Sequence, residues 1–294
     1  KPITIYQNDS GLEAGGISKS ERYIALTKSI TSDKNELFLY DTKNKKMKRI
    51  SNDNEAIWNP MDFEKNDSIM YYTTNDGREF TYLAKYNINS GKSENVYEDK
   101  WDVAYMSISE NEKFHTLFIN EDGKNKVLLF DHKTNQQIDF PEIKDGDVLG
   151  VNISESEKNL LLTVGSSTSP QNLYVYNLDK KELKQLTSSL NKEIDENDLV
   201  KAEVVRFKSF DGLEIPAIFY KPLQANKNDK VPAIIYVHGG PGGQSRVGFS
   251  NSIQFLVNHG YAVLAVNNRG SSGYGKTFYK MDNKDHSNGD LKDC

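Results

Sequence analysis

The sequence is nearly without cysteine: 294 residues contain one, Cys294. No internal disulfide can form, and the redox compartment stays open. It has no long hydrophobic run. The longest, YAVLAV and AIIYV, are far too short to span a bilayer, so no membrane partner is expected. It has no basic excess either. Against 42 acidic residues stand 37 basic ones, a net charge of −5, which argues against a general nucleic-acid binder. Tryptophan is scarce (2), while Tyr (16) and Phe (13) are plentiful, a mix that suits strands. The first residues, KPITIYQND, show neither an initiator Met nor a signal-peptide pattern. Either processing removed a leading segment or the sequence is a piece of a longer chain.

What is present is a repeat. ISKSERY from Ile17, FEKNDSI from Phe63, ISENEKF from Ile108 and ISESEKN from Ile153 align without gaps, at intervals of 46, 45 and 45 residues. A second marker keeps the beat: LFLYD, LAKYN, LLFD and YVYN end at Asp41, Asn87, Asp131 and Asn177. Each unit reads as strands of five to seven β-branched and aromatic residues, punctuated by polar turns. Four strands in about 45 residues is the unit of a β-propeller blade. Residues 12–188 therefore hold four blades, and ITIYQN at 3–8 reads as the outer strand of a fifth. The repeats contain no cluster of metal ligands, and no cofactor is expected. His115 and His132 read as packing or surface residues.

The pattern changes after a polar stretch, 189–200, which reads as a linker. AEVVRFKSFDGLEIPAIFY is two strands joined at Asp211-Gly212, a hairpin signal. VPAIIYV has the near-continuous apolar character of a strand buried on both faces. It leads into His238-Gly239-Gly240-Pro241-Gly242-Gly243, a helical NSIQFLVNH stopped by Gly260, and the strand YAVLAVNN. This is a right-handed βαβ unit. In hydrolases of this architecture a glycine-rich loop in that place supplies a backbone N–H to an oxyanion hole. Glycine allows close approach of the backbone, and Pro241 contributes no N–H. The donors left are Gly239, Gly240, Gly242 and Gly243.

SFDGLEIPAIFYKP, YVHGGPGGQ, GYAVLAVNNRGSSGYGKTF and NGDLKDC, in that order behind blade repeats, resemble the prolyl oligopeptidase family of serine peptidases, on the side of its bacterial dipeptidyl-peptidase and acylaminoacyl-peptidase-like members. The resemblance covers nearly the whole chain. It implies a partial propeller over 1–188, the linker 189–200, and a truncated α/β-hydrolase domain over 201–294. It also implies a peptide substrate and acyl transfer from a serine, with histidine as base and aspartate orienting it. No G-x-S-x-G elbow occurs. GQSRV and GSSGY lack the fifth-position glycine, and His238, His259 and His286 precede the place of the elbow. The catalytic Ser, Asp and His are therefore expected beyond Cys294, and the chain alone is expected to be inactive.

By the same resemblance the Gly240 N–H is the oxyanion donor. His238 braces the loop or adds to the oxyanion hole. Arg269 anchors its own loop through carboxylates or carbonyls, and Asp290 and Asp293 cap a following helix. Two other readings compete. One is a propeller that binds peptides or proteins without catalysis. The other rests on Gly270 to Thr277, which satisfies the nucleotide pattern G-x-x-x-x-G-K-[ST]. That pattern needs a helix opening directly from the loop, and FYKMDNKDHSNGD is a poor one.

Overall fold

The computed structural model describes residues 4–240 and 242–294. They gather into two compact units. The first reaches up to Ile119 and includes Val127–Asp139; the second comprises Asn120–Lys126 and Phe140–Cys294.

Each repeat is a four-stranded sheet whose strand order follows the chain. The first contains β1 (Glu13–Ile17), β2 (Tyr23–Thr31), β3 (Lys34–Asp41) and β4 (Lys46–Arg49). The second contains β5 (Trp58–Phe63), β6 (Ile69–Thr74), β7 (Tyr82–Asn87) and β8 (Lys92–Tyr97). The third contains β9 (Asp102–Ile108), β10 (Phe114–Glu121), β11 (Lys124–Asp131) and β12 (Gln137–Ile138). The fourth contains β13 (Asp147–Ile153), β14 (Asn159–Gly165), β15 (Asn172–Asn177) and β16 (Glu182–Gln185).

Two turns per sheet explain why the sequence repeats. Between the first and second strands, Glu21, Asp67, Glu112 and Glu157 all take positive φ, from 53° to 62°. Each donates its N–H to the carbonyl three residues back, at 2.8, 3.0, 2.9 and 2.7 Å. Ser18, Ser109 and Ser154 open three of these turns, and their hydroxyls accept the amides of Tyr23, Phe114 and Asn159. Glu64 stands in the second turn instead and accepts the hydroxyl of Ser68. Between the third and fourth strands, the side chains of Asp41, Asn87, Asp131 and Asn177 accept turn amides at 2.8–3.1 Å. A short polar side chain that hydrogen-bonds its own backbone two or three residues on is the local reason for Asp or Asn there.

In the first unit, β6 is buried along its whole length. Successive side chains point to opposite faces of a strand. Met70 and Tyr72 accordingly pack with Tyr23, Leu37, Leu39 and Trp58, while Ile69 and Tyr71 pack with Leu83, Val103, Met106 and Leu117. His115 is buried and stacks on Phe130 with ring centroids 4.9 Å apart, and His132 lies against it. Ile3, the start of the expected outer strand, lies outside the described residues. Residues 4–8 form no sheet ladder. A strand needs a neighbour to bond, and Tyr6 instead packs on Tyr40, with centroids 4.9 Å apart.

In the second unit, β17 (Ala202–Lys208), β18 (Glu214–Tyr220), β19 (Ala233–Val237) and β20 (Ala262–Val266) form a sheet in the order β17-β18-β20-β19. The β17–β18 pair is a hairpin turning at Asp211-Gly212, where Gly212 N donates to Ser209 O. β19 and β20 run parallel, joined by α1 (Asn251–Asn258). Ser250 caps α1 by accepting from Ile253 N, and Gly260 follows the helix. Ile253 and Val257 of α1 pack on Val263, Ala265 and Ile218. β19 differs from the expectation of a strand buried on both faces: its sheet neighbour among the described residues is β20, and within this chain Ile235, Tyr236 and Val237 are 43, 44 and 51% exposed.

Candidate functional site

The glycine loop leaves the C-terminal end of β19, where a βαβ unit gathers its functional loops. Pro241 lies outside the described residues. Gly240 has φ +143°, a backbone conformation open to glycine but strained for other residues. It is exposed, and among the described residues none accepts a hydrogen bond from its amide.

The loop after β20 lies against it. His238 Nε2 is 2.8 Å from Ser271 Oγ, and that hydroxyl donates to Asn268 O at 2.6 Å. His238 Nδ1 is 3.1 Å from Gly239 O. At the far end of the glycine loop, Gly243 O accepts the Ser272 amide at 2.9 Å and its hydroxyl at 3.3 Å. Asn267 continues the contact: its carbonyl oxygen Oδ1 accepts Ser245 N at 2.6 Å, and its Nδ2 donates to Ser245 O. Burial pushes the neighbouring Tyr274 phenol up to about 12, so it stays neutral and accepts from Asn267 Nδ2.

Arg269 sits in the same loop with its side chain 11% exposed. It donates to Asp293 from its backbone N, Nε and Nη2, and to Asp211 from Nη1 at 3.0 Å. Its guanidinium also lies over the Phe210 ring, 5.0 Å from the centroid. Hydrogen bonds to Asp293 and then to Asp211 hold the guanidinium firmly protonated, and the Arg269 bond holds the Asp211 carboxyl below its usual range. Arg269 thus anchors its loop through carboxylates. Asp293 does not cap the start of a helix: the short α3 (Gly289–Lys292) begins at Asn288 without a side-chain cap, Asp293 stands at its C-terminal end, and the Asp290 carboxylate accepts from Leu291 N. The paired cation of Arg269 outcompetes a single amide as partner for Asp293.

His259 binds the carbonyl of Phe255 on its own helix, and His286 lies 3.5 Å from Asp282. None of the histidine contacts seen among the described residues joins a serine to a carboxylate; Glu64, which accepts the Ser68 hydroxyl and lies 3.8 Å from His132 Nε2, puts the carboxylate in the middle instead. None of the groups of His, Cys, Asp and Glu among them is disposed to hold a metal ion. The nucleotide pattern meets a structural obstacle. The amides of Gly270, Ser271 and Ser272 bind Phe278 O, Asn268 O and Gly243 O, so they do not converge on an anion. The helix that follows, α2 (Lys276–Lys280), has five residues.

Residues 3–189 match the model of the prolyl oligopeptidase N-terminal β-propeller domain. The chain belongs to the prolyl oligopeptidase family. Residues 247–294 match the model named for the prolyl oligopeptidase family itself. The fold is the family's β-propeller followed by the start of its α/β peptidase domain. Dipeptidyl peptidase family member 6 of Caenorhabditis elegans is 28% identical over 78% of this chain and 34% of its own length. Dipeptidyl aminopeptidase BIII of Pseudoxanthomonas mexicana is 28% identical over 73% and 32%. The chain thus spans about a third of the length of these curated relatives. Among solved structures, a puromycin-hydrolyzing peptidase of Mycobacterium tuberculosis superposes with TM-score 0.80 at 14% identity, over 95% of this chain and 44% of that one. Prolyl oligopeptidase B of Galerina marginata, bound to a 25mer macrocyclization substrate, gives 0.81 at 17%, over 99% and 42%. At such identities the likeness speaks for the fold.

Proposed function

We propose that this chain is the propeller and leading hydrolase portion of a serine peptidase that cleaves peptides through an acyl-enzyme. The division is blades over 1–188, a linker over 189–200 and hydrolase over 201–294. The Gly240 amide donates to the oxyanion of the tetrahedral intermediate, and His238 braces the loop that carries it. The triad is supplied by residues other than those in this chain. The observation that carries the reading is the exposed amide of Gly240, which none of the described residues accepts, on a loop held at both ends. Donors placed before the reaction stabilise developing charge without reorganisation. Membership of a family of peptidases supports the same chemistry.

The test is fluorophosphonate labelling of the full-length protein, together with hydrolysis of peptide nitroanilides. Labelling at one serine with matching loss of turnover is the expected result. Tight peptide binding without labelling would replace it with the non-catalytic binding reading.

A further inference from the structure

The stretch Gly270–Phe278 contributes no group to the proposed chemistry, yet two of its serines grip the loop that does. Ser271 is fully buried. A hydroxyl has one proton, and the 2.6 Å contact places it on Asn268 O. The Ser271 oxygen therefore accepts, and His238 Nε2 is the donor across 2.8 Å. This fixes the direction in which the ring lies; with its one proton on Nε2, a neutral ring makes no hydrogen bond from Nδ1 to Gly239 O, 3.1 Å away. Five residues on, Gly243 O takes both donors of Ser272. Between the two grips Gly243 approaches Gly239 and His238 closely. A Cβ on Gly243 would lie 2.4 Å from Gly239 O and 2.8 Å from His238 Nδ1. Gly240 sits inside that closed span.

We propose that Ser271 and Ser272 are positioning residues that clamp the two ends of the oxyanion loop and so aim the Gly240 amide, Ser271 acting through His238. The catalytic consequence rests on the peptidase reading; the clamp itself does not. A displaced donor misaligns the transition state more than it weakens substrate binding.

The experiment uses the full-length protein and its Ser271→Ala, His238→Ala and double variants. Two readouts are taken: kcat and KM on a peptide nitroanilide, and hydrogen exchange of the amides of residues 239, 240 and 242–246. Ser271→Ala is expected to lower kcat about tenfold with KM within about twofold, because an oxyanion donor is displaced rather than lost. The double variant is expected to be no slower than His238→Ala, since coupled residues do not add. Exchange across the loop is expected to accelerate in Ser271→Ala. Unchanged kcat, or additive losses, would overturn the proposal. If the wild-type protein neither labels nor turns over, the peptidase reading has failed. The exchange measurement then decides the clamp alone: faster exchange upholds it and unchanged exchange ends it.

Discussion

Arg269 gives three hydrogen bonds to the one carboxylate of Asp293: from its amide at 2.8 Å, Nε at 2.9 Å and Nη2 at 2.8 Å. The Asp293 side chain is fully buried, and Ser209 Oγ adds a fourth donor at 2.6 Å. Breaking a buried pair leaves a charge without compensation, which costs about 3–5 kcal/mol. Arg269→Met should therefore destabilise the second unit by that order. Circular dichroism during urea denaturation measures it. Trp58 and Trp101, both in the first unit, would not report it. A loss below about 1 kcal/mol, the level of an exposed pair, would show that the pair is solvated.

His115 predicts an acid-labile first unit. Burial, followed by the nearby His132, lowers its pKa to about 4, with Asp131 opposing. The folded state then refuses a proton that the unfolded chain accepts. Stability is complete above pH ~6.5 and falls as pH drops toward 4, by about 3 kcal/mol in all. Trp fluorescence during urea unfolding at pH 7 and 4.5 should show this loss, and His115→Phe should remove that part of it. Equal losses in both proteins would assign the acid sensitivity to other groups.

Gly240→Pro removes the amide proton and cannot adopt φ +143°. In the full-length protein, on the peptidase reading, kcat should fall by about 10²–10³, the cost of one oxyanion donor. KM should change little. Unchanged turnover would take Gly240 out of the mechanism.

The turn side chains predict a smaller effect. Asn177 accepts the Lys180 amide at 2.8 Å and donates to Asn159 Oδ1 at 2.8 Å. Asn177→Ala should cost about 1 kcal/mol, the usual worth of a local side-chain cap. The urea midpoint should drop, with the slope unchanged. A midpoint equal to wild type would make the repeated Asp or Asn incidental.

These cases separate what was legible in the residues from what was not. The four sheets could be read because each turn is held by side chains two to five residues away. Ser18, Ser109 and Ser154 do the same task at the same step of the repeat. The hairpin at Asp211-Gly212 and the stop at Gly260 were readable for the same reason. The role of Asp293 was not, because its partner lies 24 residues away and competes with the local amides that a cap would use.

By itself the sequence determined the blade repeats, the βαβ unit and the glycine loop that marks the family, all of them products of short-range hydrogen bonding and strand periodicity. Only the tertiary structure decided that GSSGYGKTF is a brace rather than a phosphate loop. Its amides and hydroxyls choose among acceptors as distant as Gly243, and proximity in space, which composition does not encode, settles that choice.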